Sequence, residues 1–133
     1  PEEMRFDFIL HTHVLEHETY PVASLAHLRT FASQDATLYL ELPFEYWERF
    51  LTRRPGAIWH VNFFNRYALL LAAERAGWSC RHIGLKRLPY SSNVIPCLVG
   101  EFAPSDGSAV PEVRPSKFDI MSDFITFLRF RLR

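Results

Sequence analysis

Five polar residues near the start of the chain could exchange protons or bind a ligand, and they lie within seven positions of one another. They are His11, Thr12, His13, Glu16 and His17. They follow directly on the apolar run Phe6 to Leu10, which is typical of a strand buried under helices. Because ligands in open α/β sheets bind beyond the carboxyl ends of the strands, we expect a binding site here.

A metal site is the first chemistry to consider for this cluster. His11 and His13 are two residues apart, which places them on the same face of a strand, and imidazoles are common zinc ligands. Val14 and Leu15, however, have the character of core residues. The spacing fixes no cysteine or further carboxylate nearby. The sequence therefore predicts no bound metal.

Size and composition narrow the class of protein. The 133 residues suit one globular domain, with 48% hydrophobic side chains and fifteen basic residues against fifteen acidic ones. This balance gives no field that would attract nucleic acid or a membrane surface, so neither is expected as a partner. Cys80 and Cys97 form no CxxC pair and are expected to be free thiols in the cytoplasm. No apolar run reaches the roughly 20 residues that span a bilayer.

The order of elements predicts an α/β fold. Strands are expected at 6–10, 37–42, 78–88 and 94–102, helices at 21–33 and 65–76, and a short helix with an irregular loop at 44–61. Asn65 is expected to cap the second helix and Gly77 to stop it. Residues 1–103 would form the domain, 104–115 a linker and 116–133 an amphipathic C-terminal helix. The last two strands would pair as an antiparallel hairpin.

Three segments of the chain, taken together, resemble the C-terminal half of a class I S-adenosylmethionine-dependent methyltransferase of the small-molecule type. They are FDFILHTHVLEH, LYLELP and HVNFFNRYALLLAAERAGW, which match the fourth strand, the fifth strand and the last helix before the closing hairpin. The resemblance spans residues 6 to 102. It implies a truncated Rossmann-like sheet of about four strands, two parallel strands and the hairpin, with flanking helices.

The resemblance implies S-adenosylmethionine as cofactor and a small molecule as substrate. In this family a glycine-rich loop after the first strand cradles the cofactor, whereas none of the five glycines here forms a Gly-x-Gly pair. We therefore expect this polypeptide to be inactive without an N-terminal half, and it need not bind cofactor alone. The alternative is a non-enzymatic α/β domain that keeps the fold for assembly or binding.

The resemblance also assigns roles to individual residues. His11, Thr12 and His13 would line the methionine and adenine side of the pocket, unless they only cap the strand. His60 would be the general base that takes a proton from the substrate, unless it is a half-buried loop residue. Glu16 and His17 are the other two candidate catalytic residues, which would hold a substrate hydroxyl or order the loop. A further group could form a substrate wall or plain core: Tyr46, Trp47, Trp59 and Phe64.

The first strand would have partners on both sides in the complete fold, and here one side has none. An unpaired apolar edge invites association with another chain. We expect a homodimer, formed through this exposed strand or through the C-terminal helix. Coverage of the edge by the chain's own C-terminal helix is the alternative.

Overall fold

The computed structural model describes residues 4–45, 47, 60–90, 93–105 and 117–131. These residues form β1 (Phe6–Thr12), α1 (Pro21–Thr30), β2 (Ala32–Pro43), α2 (Arg66–Arg75), β3 (Trp78–Tyr90), β4 (Asn93–Pro104) and α3 (Lys117–Arg131), with a 3-10 turn at Leu15–His17. The sheet order is β1-β2-β4-β3. Strands β1 and β2 are parallel, and the β2/β4 and β4/β3 pairs are antiparallel. The predicted α/β class, with a parallel pair and a closing hairpin, is confirmed.

The boundaries of two neighbouring elements differ from the prediction. Helix α1 ends at Thr30 rather than at residue 33, and β2 begins at Ala32 rather than at residue 37. The reason is pairing with β1, because Phe6 already lies opposite Ala32 before the register shifts and Phe8 lies opposite Thr37. Pairing at Ala32 and Thr37 therefore carries the strand across Gln34 and Asp35, which lie in the register shift and have little intrinsic strand preference.

The capping signals of α2 are confirmed. The Asn65 side chain accepts a hydrogen bond of 2.8 Å from the Ala68 amide, which satisfies one of the free N–H groups at the helix start. Gly77 adopts φ +83°, a left-handed conformation that side chains other than glycine rarely take. These two residues fix where α2 begins and where β3 can start.

The core lies on one face of the sheet. Alternate residues of β2, namely Leu38, Leu40 and Leu42, are fully buried and pack in one cluster with residues of α1 and α2. Trp78, at the start of β3, is also fully buried, and its indole N–H donates to the Leu25 carbonyl at 2.9 Å. This bond ties α1 to the far strand of the sheet, so the helices hold a fixed position above it.

The expectation that β1 is covered on both faces is wrong. Phe8 is 59% exposed and Leu10 is 62% exposed, whereas Ile9 packs against the core. Phe8 and Leu10 lie beside Thr37 and Tyr39 on the sheet face opposite the buried leucines of β2. Strand β1 is also the outermost strand on its side of the described sheet, which agrees with the expectation that one of its edges is unpaired.

The C-terminal helix docks against the body of the domain. Asp123 is buried and accepts a hydrogen bond from Arg66 at the start of α2, and Phe127 joins the core cluster. Because Phe8 and Leu10 stay exposed, this helix does not cover the apolar side chains of β1. No helix in the described part of the chain is long and apolar enough to cross a bilayer. The predicted linker falls almost entirely on residues 106–116, and the predicted loop 44–61 mostly on 48–59; both stretches lie outside the described residues.

Candidate functional site

Polar side chains gather where β1 and β2 reach their carboxyl ends. Because these strands are parallel, their carboxyl ends lie at the same edge of the sheet. Three of the side chains come from the segment after β1, and two come from β2 and the residues just after it. One more comes from the segment before α2, and one comes from β4. We call this group the tip cluster: His13, Glu16, His17, Glu41, Glu45, His60 and Cys97.

The segment before α2 is fastened to the 3-10 turn by hydrogen bonds. The Glu16 carbonyl accepts from the amides of Val61 at 2.9 Å and Asn62 at 3.0 Å. The Asn62 side-chain amide donates to the Glu18 carbonyl at 2.6 Å. This connection brings His60 beside His17, with ring centroids 4.8 Å apart in an edge-to-face arrangement. The structure thus places together the three residues predicted as catalytic, Glu16, His17 and His60.

Glu16 is an unusual member of the group. It is only 2% exposed, and neither of its carboxylate oxygens makes a hydrogen bond within the structure. Its Oε1 lies 3.7 Å from Nε2 of His17 and 3.7 Å from Nδ1 of His13. Burying a carboxylate without hydrogen bonds costs free energy, which favours a role in binding for Glu16.

His60 forms a dyad that the sequence did not reveal. Its Nδ1 donates to Oε2 of Glu45 at 2.8 Å, and both side chains are partly buried. This bond places the proton on Nδ1 and leaves the lone pair on Nε2, the arrangement a general base needs. Glu45 was missed because it lies in a segment with no periodic pattern. Its position two residues after Pro43, which ends β2, is the only signal in the sequence.

The three predicted cofactor-side residues do not share a surface. His11 lies opposite Leu40, on the helix-covered face, whereas the adjacent Thr12 lies opposite Glu41 on the other face. Burial lowers the pKa of His11, partly offset by Glu18 and Glu16, and its Nδ1 is buried without a hydrogen-bond partner. His11 is therefore favoured in its neutral form.

His13 turns the chain away from β1. It has φ +51°, in the left-handed region that few side chains adopt, and its amide donates to the Glu41 carbonyl at 2.9 Å. Its Nε2 also lies 3.0 Å from Oε1 of Glu41. The fully buried Cys97 is close to this pair, and burial with the nearby charges of Glu41 and Glu16 raises the pKa of its thiol to about 12. No spacing in the sequence connects Glu41 or Cys97 with the cluster.

The proposed substrate wall is only partly within the described residues. Phe64 is buried in the core cluster, which agrees with its alternative interpretation as plain core. Trp47 packs its ring on Phe124 of α3, with centroids 5.1 Å apart. Tyr46 and Trp59 lie outside the described residues.

Solved structures provide the comparison with known proteins, since no family model and no curated protein sequence matches the chain. A methyltransferase from Methanosarcina mazei that depends on S-adenosylmethionine is 15% identical, with TM-score 0.54, over 77% of this chain and 61% of its own. Magnesium protoporphyrin IX methyltransferase from Synechocystis, bound to S-adenosylhomocysteine, is 16% identical, with TM-score 0.54, over 77% and 46%.

A third similar structure comes from Burkholderia thailandensis. This 1,6-didemethyltoxoflavin N1-methyltransferase, with its substrate and S-adenosylhomocysteine bound, is 18% identical, with TM-score 0.58, over 80% of this chain and 47% of its own. The chain thus spans about half to three fifths of the length of these three enzymes. Their TM-scores of 0.54 to 0.58 show a similarity of fold over about four fifths of this chain. The chain has the fold of the class I S-adenosylmethionine-dependent methyltransferases.

Proposed function

We propose that this chain is the acceptor-side part of a methyltransferase that uses S-adenosylmethionine to methylate a small molecule. The observation that carries the proposal is the tip cluster, in which the buried carboxylate of Glu16 lies beside the imidazoles of His17 and His60 at the carboxyl edge of a methyltransferase-type sheet. Such an edge is where α/β sheets bind ligands. The similarity of fold supports the class of reaction, and the cluster supports the location of the acceptor.

Within this proposal, His60 is the general base. Glu45 holds its ring through Nδ1, so that Nε2 can accept a proton from an acceptor oxygen, nitrogen or carbon. Glu16 and His17 lie beside it and position the acceptor through hydrogen bonds. Methyl transfer depends mainly on alignment of the reacting groups, so positioning is the larger contribution expected of these residues.

None of the glycines in the described part of the chain forms a loop that could cradle the cofactor. A Cβ on Gly100 would meet Phe102, one on Gly84 would meet His82, and Gly77 serves the turn after α2. Each of these glycines therefore serves packing or a turn rather than an approach to a ligand. The segment from His11 to His13 would contribute only part of a cofactor pocket, because its side chains lie on both faces of β1, and we propose that this chain alone does not turn over substrate.

Calorimetry with S-adenosylmethionine tests the proposal on two polypeptides. The first is the 133-residue chain. The second is a longer product of the same reading frame, in which sequence upstream of Pro1 encodes a strand, a glycine-rich loop and a helix. We expect no saturable binding by the chain alone and saturable binding by the longer product. Saturable binding by the chain alone would contradict the dependence on another segment. If neither binds, the alternative of a non-enzymatic assembly or binding domain is correct.

We also propose that the chain forms a homodimer through β1. Two observations support this proposal. Strand β1 is the outermost strand on its side of the described sheet, so it offers unpaired backbone groups along its edge. The exposed side chains of Phe8 and Leu10 add apolar surface beside that edge. A cytoplasmic location is likewise a proposal, supported by Cys80 and Cys97, which are free thiols.

A further inference from the structure

We propose that His13, Glu41 and Cys97 form a binding site for one transition-metal ion of the Zn²⁺ class. One imidazole nitrogen, one carboxylate oxygen and the Cys97 Sγ all lie within 4.8 Å of one another. This inference depends on the fold and on these contacts, and it does not depend on the proposed methyltransferase function.

Backbone hydrogen bonds hold the three ligands in place. Cys97 lies opposite Pro43 in the β2/β4 ladder, two positions along from Glu41 on the same face of the sheet. The amide of His13 is bonded to the Glu41 carbonyl, and the left-handed conformation of His13 turns the chain at that point. The ligands therefore come from two neighbouring strands and a fixed turn rather than from long free loops, which favours a preformed site.

The ligand set suits zinc in geometry and in charge. With bonds of about 2.0 to 2.3 Å, the ligand atoms of a tetrahedral zinc site lie roughly 3.3 to 3.6 Å apart. Nε2 of His13 and Oε1 of Glu41 are 3.0 Å apart, and Sγ of Cys97 lies within 4.8 Å of the other ligand atoms. A thiolate and a carboxylate would neutralise a divalent ion, and water would take the fourth position.

Glu16 can accept a hydrogen bond from the imidazole nitrogen of His13 that does not bind the metal; we call this the outer contact. When Nε2 of His13 binds the ion, the ring proton moves to Nδ1, which lies 3.7 Å from Oε1 of Glu16. A ligating histidine almost always donates its other N–H to a carboxylate or carbonyl. This role accounts for a carboxylate that is 2% exposed and makes no hydrogen bond.

Cys97 would bind the ion as a thiolate, so its proton has to leave when the metal binds. On coordination the S–H bond breaks, the metal–sulfur bond forms and the proton passes to solvent, because the ion's charge stabilises the thiolate. One proton is therefore released from sulfur for each ion bound at neutral pH.

A neighbouring group of possible ligands offers the competing location. Glu16, His17 and His60 also place one ligand atom each within 4.8 Å of one another. That group contains no sulfur. A metal probe whose spectrum reports sulfur coordination therefore distinguishes the two locations directly.

Titration of the reduced protein with Co²⁺, which replaces Zn²⁺ and gives a charge-transfer band when a thiolate binds it, tests the proposal. We expect one equivalent of Co²⁺ to produce that band and Zn²⁺ to displace it. The Cys97→Ser variant should lose the band, and the matched control Cys80→Ser should keep it. Absence of the band, or its persistence in Cys97→Ser, would overturn the proposal, as would a band-free Co²⁺ complex that is lost in His60→Ala.

Two further variants keep the test decisive if Cys97→Ser fails to fold. His13→Asn removes the nitrogen ligand while asparagine tolerates the left-handed conformation, so it should fold and lose the band. Glu16→Gln should keep the band but weaken Co²⁺ binding by about 10- to 100-fold, the usual effect of losing an outer contact. Wild-type affinity in His13→Asn would contradict the proposed site.

Discussion

The imidazole of His60 and the carboxylate of Glu45 are joined by a hydrogen bond of 2.8 Å between Nδ1 and Oε2, across fifteen residues of sequence. Glu45→Gln replaces a charged acceptor with a neutral amide, which can either accept from or donate to the ring. We expect His60 to change from the single Nδ1–H form to a mixture of both neutral forms. Nitrogen-15 NMR of the histidine side chains at high pH measures this ratio, and an unchanged ratio would contradict the dyad.

Replacement of Gly100 tests how tightly β4 packs. A Cβ at this position would lie 2.4 Å from Cε2 of Phe102, whose ring is fully buried and has no free space to move into. We expect Gly100→Ala to lower the free energy of unfolding by about 1 to 3 kcal/mol. Urea denaturation measures it.

Gly84→Ala is the matched control for that experiment. Its Cβ would meet only the His82 ring at 3.4 Å, and His82 is exposed, so the ring can rotate away. The effect should be near zero or slightly stabilising, because alanine restricts the unfolded chain. A loss near zero at Gly100 as well would show that β4 is not packed as tightly as the structure indicates.

Stability should depend on pH through His11. Burial lowers its pKa in the folded protein below the ordinary 6.5, so the unfolded chain takes up a proton first as the pH falls. The stability that neutral His11 contributes is therefore present above pH 6.5 and is lost as the pH decreases below it. His11→Leu removes this contribution, and its melting temperature should decrease less than that of the wild type between pH 7.5 and 5.5. An equally steep decrease in the variant would contradict this prediction.

The proposed homodimer predicts a specific effect of charge on β1. Phe8→Lys and Leu10→Lys place a charge on exposed side chains at the sheet edge, where it opposes pairing with a second chain. We expect a wild-type dimer and monomeric variants of nearly unchanged stability by size-exclusion chromatography with light scattering. Val94→Lys, at a β4 side chain that is 56% exposed, is the control and should remain a dimer. A monomeric wild type would contradict the proposal.

Signals that act over short distances along the chain were readable from the sequence. Asn65 and Gly77 fix the ends of α2 through contacts within a few residues, and both were predicted correctly. The start of β2 was not, because Asp35 has little intrinsic strand preference and lies between Ala32 and Thr37, the positions at which β2 pairs with β1. Exposure of Phe8 was also missed, since an apolar run does not reveal which face a helix covers.

For the candidate site too, short-range features could be predicted from the sequence, whereas contacts between distant residues could not. The convergence of Glu16, His17 and His60 could be expected from strand ends and from the resemblance. The pairing of Glu45 with His60 depends on the path of an intervening segment without periodic pattern. The approach of Cys97 to His13 depends on β4 lying beside β2, which places Cys97 opposite Pro43. Contacts between residues so far apart in sequence are fixed by topology, and local propensity does not specify them.

The insertion of β4 between β2 and β3 also sets the order of events during synthesis on the ribosome. Strand β2 gains its second neighbour only from residues 97–102, which are translated long after β2 itself. Until then the nascent chain exposes the unpaired edge of β2, a state prone to aggregation. Productive folding of the nascent polypeptide therefore waits for the hairpin to leave the exit tunnel, and chaperone demand should be greatest in that interval.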